Sequence, residues 1–75
     1  MGKLPVVSGK ELCKAMEKVG YLFDHQVGSH IILRNEKPPH RRLSIPNHKE
    51  IAKGTLRSIM KQAGLTIDEL TELLK

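Results

Sequence analysis

Residues 20–46 run GYLFDHQVGSHIILRNEKPPHRRLSIP, and this stretch decides the fold. Tyr21 to Gln26 is short, carries both aromatic residues of the chain, and reads as a strand. Val27-Gly28 reads as a tight turn in which Gly28 supplies a positive φ. His30 to Arg34 is rich in β-branched residues and reads as a second strand. Asn35 to Arg41 contains Pro38 and Pro39 and reads as a loop. Arg42 to Ile45 reads as a third strand, stopped by Pro46, which has no amide hydrogen to donate to a ladder. The short connections make these strands antiparallel neighbours.

Helices flank the strands. Ser8 and Glu11 form a capping box, and Leu12, Ala15, Met16 and Val19 follow at helical spacing. Gly20 is suited to the left-handed conformation that ends a helix. A first helix is predicted over residues 9–19. On the far side, Thr55 is positioned to cap a second helix with an apolar stripe of Leu56, Ile59, Met60 and Ala63, ended by Gly64. Thr66 and Glu69 make another capping box, and Ile67, Leu70 and Leu74 mark a short last helix. The order is helix, three strands, helix, short helix. One sheet face must be covered and only the helices can cover it. The expected fold is α+β, with the other sheet face open to solvent.

A chain of 75 residues is expected to form a single domain, residues 1–75. A domain of that size buries only about 60% of the surface its unfolded chain exposes. Function is therefore expected on the surface or in a shallow groove. The net charge is +5. Residues 1–64 hold 12 Lys/Arg against 5 Asp/Glu, whereas residues 65–75 hold one Lys against three acids. A basic body suggests an anionic partner such as a phosphate backbone, or simply a surface kept soluble by charge. Two aromatics are too few for a base-stacking platform. Cys13, the sole cysteine, excludes an intrachain disulfide and reads as a small buried side chain. A lone thiol fits a reducing cytosol. No apolar run is long enough to span a bilayer, and Met1 reads as a native start without a signal peptide. A cytoplasmic location is expected.

Two basic stripes stand out: Lys10, Lys14 and Lys18 on the first helix, and Lys53, Arg57 and Lys61 around the second. Residues four apart share a helix face. Arg41 and Arg42 add charge beside the third strand. Such a surface can follow phosphates, although each stripe also fits the solvated face opposite an apolar one. Of the four histidines, His25, His30, His40 and His48, none has a close Cys or an HxxxH-type partner. No metal motif is read. His25 and His40 read as surface residues. His30 opens a strand directly after Gly28-Ser29, near backbone amides that a glycine leaves accessible. An imidazole ordinarily titrates near pH 6.5, suited to moving a proton. RNA carries its own nucleophile, the 2′-hydroxyl, so a histidine that removes that proton, with cations nearby, suffices for strand scission. Spacing alone leaves open that His30 is an ordinary polar residue. His48, just past the third strand, could face the same edge and act as an acid or bind phosphate, or merely start the next segment.

Gly20-Tyr21, Gln26-Val27-Gly28-Ser29-His30, Pro46-Asn47-His48, and Lys53-Gly54-Thr55-Leu56-Arg57-Ser58-Ile59 followed by Gln62-Ala63-Gly64 resemble the HicA (YcfA-like) toxin family. Its pattern is a glycine then an aromatic, a Gln-x-Gly-Ser-His block, a Pro-x-His block, and a Gly-Thr-Leu helix ending in Ala-Gly. The resemblance runs from Ser8 to Leu70. It implies a fold like a double-stranded-RNA-binding domain, with helices on one face of a three-stranded sheet. It implies a ribosome-independent, metal-independent mRNA endoribonuclease, without cofactor, neutralised by a HicB antitoxin that covers the active site. It puts the catalytic histidine at His30 and the Pro-x-His histidine at His48. The chain departs from the family at His25, where a basic residue is common, and in a longer loop, Glu36-Lys37-Pro38-Pro39.

The leading expectation is thus an endoribonuclease toxin with His30 as general base or acid. Ser29 and the backbone around Gly28 would place the phosphate, and Lys53, Arg57, Arg41, Arg42 and Lys61 would contact RNA. A non-catalytic double-stranded-RNA-binding module explains charge and fold equally well, but not the histidine in the Gly-Ser-His block. A third reading is a protein whose basic face serves only an acidic protein partner.

Overall fold

The computed structural model describes residues 3–75. Helix α1 spans Gly9–Glu17, strand β1 Tyr21–Val27, β2 His30–Asn35, β3 Arg42–Pro46, helix α2 Lys53–Ala63 and helix α3 Ile67–Leu73. The strands form one antiparallel sheet in the order β1-β2-β3. This is the α+β order expected from the sequence and from the resemblance to the double-stranded-RNA-binding domain.

Alternation along β2 and β3 sorts the sheet into two faces. Ile31, Leu33, Leu43 and Ile45 are buried against the helices, while His30, Arg34, Arg42 and Ser44 are exposed. The helices complete the core with Leu12, Ala15 and Met16 from α1, Leu56, Ile59 and Met60 from α2, and Leu70 from α3. Each buried aliphatic side chain of this kind contributes roughly 1.5–3 kcal/mol. Among the described residues the opposite sheet face has no covering layer.

Both capping boxes form. Ser8 Oγ accepts from the Glu11 amide at 3.1 Å and Glu11 accepts from the Ser8 amide at 2.9 Å; Thr66 and Glu69 repeat the pair at 3.1 and 2.9 Å. The Ser8 amide, then its hydroxyl, hold the exposed Glu11 carboxyl below its usual pKa. Gly64 ends α2 with φ 72°. Three local expectations are corrected. The first helix stops at Glu17, and Val19 lies in the following turn, 36% exposed, off the buried stripe. Thr55 does not cap α2: the helix starts at Lys53, with Ala52 at the cap and no side-chain cap bond. Cys13 is half-buried rather than buried. Desolvation and the nearby Glu17 carboxylate push its thiol pKa up, so it stays protonated.

Two features brace the end of the sheet that carries His30. The α1 N-terminus lies so close to the third strand that a Cβ on Gly9 would collide with the Pro46 carbonyl oxygen. The Gly9 amide donates to the His48 carbonyl at 2.9 Å, and the Asn47 amide to the Ser29 carbonyl at 2.7 Å.

Candidate functional site on the open sheet face

The β1–β2 connection is a two-residue hairpin: Val27 pairs with His30, leaving Gly28 and Ser29 as the central residues. The positive φ falls on Gly28 alone, at 58°, the pattern of a type II′ turn. Gln26 explains its place before the turn by donating from its side-chain amide to the Gly28 carbonyl at 3.0 Å. His30 therefore starts β2 from a braced position, opposite Pro46 on β3.

His30 lies on the open face and is exposed. Its Nδ1 is 3.2 Å from the Ser44 hydroxyl, the only hydrogen bond its ring makes among the described residues. Ser44 sits on β3 opposite Ile32, one step along the same face. A hydroxyl both donates and accepts. When Nδ1–H donates to Ser44, Nε2 turns an open lone pair to solvent; when Ser44 donates, Nε2 carries the proton. The arrangement thus holds the ring in either protonation role.

Cross-strand partners share a face, so the register extends the site. Arg34 lies directly opposite Arg42. Neither is in an ion pair among the described residues. Like charges directly opposed across a sheet are destabilising, and an anion between them removes the penalty. The pair is about 13 Å from His30 along the strand at roughly 3.3 Å per residue. Leu22 and Val27 add exposed apolar surface to the same face, at 46% and 59%.

The remaining expected residues are dispersed. Ser29 is exposed in the turn, tied to β3 through its carbonyl. Arg41 lines a shallow groove with Tyr21, Asn35, Lys37, Pro38 and Pro39. His48 lines another with Ser8, Lys10, Asn47 and Lys49, beside the start of α1, and shares no hydrogen bond with His30. Lys53 and Arg57 line a groove of about 510 Å³ with Lys3, Leu4, Val6 and Ile67, and Lys61 follows on the same exposed stripe of α2. These three belong to the helix layer, not to the face that carries His30. His40, expected at the surface, is half-buried, and its Nδ1 donates to the Asn35 carbonyl at 3.1 Å. Ser44 and Arg34 were not singled out by the sequence reading. The alternation of Leu43 and Ile45 with Arg42 and Ser44 marks the outward positions, but only the strand register brings Ser44 to His30.

Among the described residues no three His, Cys, Asp or Glu side chains converge on a common point, and no helix is long and apolar enough to cross a membrane. None of the curated proteins matches the chain. A family model described as the HicA toxin of bacterial toxin–antitoxin systems matches residues 9–65. That span runs from α1 to just past α2 and contains the hairpin, His30, Ser44 and the arginine pair. The chain therefore belongs to the HicA toxin family: it is the toxin of a bacterial toxin–antitoxin pair, with a cognate antitoxin as its partner.

Proposed function

We propose that this toxin is an mRNA endoribonuclease that cleaves without metal, using His30 as general base. Nε2 of His30 takes the proton of a ribose 2′-hydroxyl, and the freed oxygen attacks the adjacent phosphorus. The observation that carries this reading is an exposed imidazole, fixed at Nδ1 by Ser44 with Nε2 free, on an uncovered face that also bears two opposed arginines. General-base catalysis of this kind is worth about 10²–10⁴ in rate. The substrate supplies the nucleophile, so neither a metal-bound hydroxide nor a covalent enzyme intermediate is required. Ser29 and the amides of the Gly28 turn border the phosphate, and Arg34 and Arg42 hold the flanking backbone. Lys53, Arg57, Lys61 and Arg41 extend RNA binding beyond this face.

The cognate antitoxin, of the HicB type, neutralises the toxin by covering the His30 face. The exposed Leu22 and Val27 offer apolar contact there, and the basic surface favours fast association with an acidic partner. The half-buried Cys13 thiol suits a reducing cytoplasm, where the mRNA substrate is.

Expression in growing cells tests the reading. The wild-type chain should arrest growth, co-expressed antitoxin should relieve the arrest, and His30→Ala should be harmless at equal protein level. A folded His30→Ala protein that arrests growth as strongly as wild type contradicts it. A double-stranded-RNA-binding module would give that result, because binding alone does not require the imidazole.

A further inference from the structure

Cleavage by 2′-hydroxyl attack moves two protons, and His30 accounts for one. The attacking oxygen loses a proton and the departing 5′-oxygen must gain one. The β1 strand holds a second imidazole suited to the task. Strand β1 is irregular between Phe23 and His25: Phe23 pairs with Leu33 and His25 with Ile32, so Asp24 is the extra residue of a bulge. A bulge reverses the alternation that follows it. Without it, His25 would share the helix-covered face with Phe23. With it, His25 joins Ile32, and therefore His30, on the open face. The two histidines are diagonal neighbours across β1 and β2, a relation that sets positions about 7–8 Å apart. Positions at that spacing on one face leave both rings beside the same stretch of open sheet, where one phosphate can lie between them.

The extra residue has its own use. His25 Nδ1 donates to Asp24 Oδ2 at 2.7 Å. A carboxylate accepts only, so Nδ1 carries a proton and Nε2 is the atom left facing outward. The other candidates for the second proton fail. Arg34 and Arg42 sit at the other end of the strand pair, about 13 Å from His30 at roughly 3.3 Å per residue. His40 is turned into its loop, and His48 lies in the groove beside α1.

We propose that His25 is a second catalytic residue, the general acid of the cleavage, with Asp24 as its positioning residue. The proposal rests on the endoribonuclease reading above. O2′ bonds to phosphorus as the bond from phosphorus to O5′ breaks. His25 enters the step as the imidazolium, with one proton on Nδ1 held by Asp24 and one on Nε2. The O2′ proton goes to Nε2 of His30, and the Nε2 proton of His25 goes to O5′, leaving His25 neutral and His30 protonated. The products are a 2′,3′-cyclic phosphate and a 5′-hydroxyl, and proton exchange with water resets both rings.

Two versions of one RNA oligonucleotide test it, each carrying a linkage that the wild type cuts. In one, the bridging 5′-oxygen of that linkage is replaced by sulfur, which leaves as a thiolate and needs no acid. His25→Ala should cut the oxygen RNA roughly 10²–10⁴-fold more slowly, yet cut the sulfur RNA within a few-fold of wild type. Asp24→Asn should show the same selective loss in weaker form, and His30→Ala should lose both substrates. His25 is an exposed side chain, and circular dichroism verifies that each variant folds. If His25→Ala cuts the oxygen RNA as wild type does, or slows equally on both, His25 is not the acid and the role of His30 stands. If His30→Ala cuts both RNAs at the wild-type rate, or no RNA offers a linkage that the folded wild type cuts, the proposed function of His30 falls and this proposal with it.

Discussion

Among the described residues the His30 ring is oriented by one side chain, Ser44, through a hydrogen bond of 3.2 Å. A hydrogen bond of that type is worth about 1 kcal/mol net. Ser44→Ala should therefore slow RNA cleavage roughly fivefold to tenfold with no loss of thermal stability, since Ser44 is exposed. Steady-state cleavage with parallel melting curves checks this; a large drop in melting temperature would instead make Ser44 a structural residue. The arginine pair makes a prediction of opposite sign for two observables. Arg42→Gln should stabilise the free protein by up to about 0.5 kcal/mol, because it relieves a like-charge pair. It should weaken RNA binding and flatten the logarithmic salt dependence by about one counterion. A variant less stable than wild type would show that the arginines do not strain the free sheet. At this scale the sequence was partly legible. The hairpin and the start of β2 at His30 were legible because turn chemistry and strand start are local, whereas a catalytic role for His30 came only from the family resemblance. Ser44 and Arg34 could not be found that way, since their relation to His30 and Arg42 exists only once the strands pair.

The elements show the same division between local and long-range causes. Helices α1 and α3 were legible because a capping box is written in residues three apart, and both boxes form. The start of α2 was misread because Thr55, a good capping residue, competes with a helix that begins uncapped at Lys53. There tertiary packing outweighs the cap: Leu56, Ile59 and Met60 are buried whether or not a side chain satisfies the first amides. The β1 bulge left no mark, since Asp24 reads as a polar position in an alternating strand. Yet it decides which face His25 occupies. Gly9 was likewise silent, as its importance lies in approach to the Pro46 backbone. Gly9→Ala should destabilise the fold by about 1–3 kcal/mol, because backbone must shift to admit a methyl group. Thermal melting should register a fall of about 4–8 °C per kcal/mol in a domain of this size. An unchanged melting temperature would mean that α1 can retreat from β3 without cost.

The whole molecule divides its basic charge between two layers. Arg34 and Arg42 share the face of His30, whereas Lys53, Arg57 and Lys61 lie along the exposed side of α2. Net charge and its concentration in residues 1–64 were readable from composition, but the division between layers required the fold. Under the proposed function, this division separates RNA binding from cleavage. A Lys53→Gln, Arg57→Gln double variant should raise the Kd for RNA severalfold and reduce the salt dependence of binding, while cleavage at saturating RNA proceeds at the wild-type rate. Titrations at several salt concentrations, with single-turnover cleavage, distinguish that outcome from a loss of rate. We propose that this toxin cuts RNA by means of His30. Cleavage through His30 is tested most directly by incubating RNA with purified wild type and His30→Ala in chelator-containing buffer, with circular dichroism to establish that both fold. The expected result is cleavage by the wild type in the presence of chelator and a loss of about 10²–10⁴-fold in the folded variant. Equal cleavage by both proteins, or binding of RNA by both without cleavage, would contradict it.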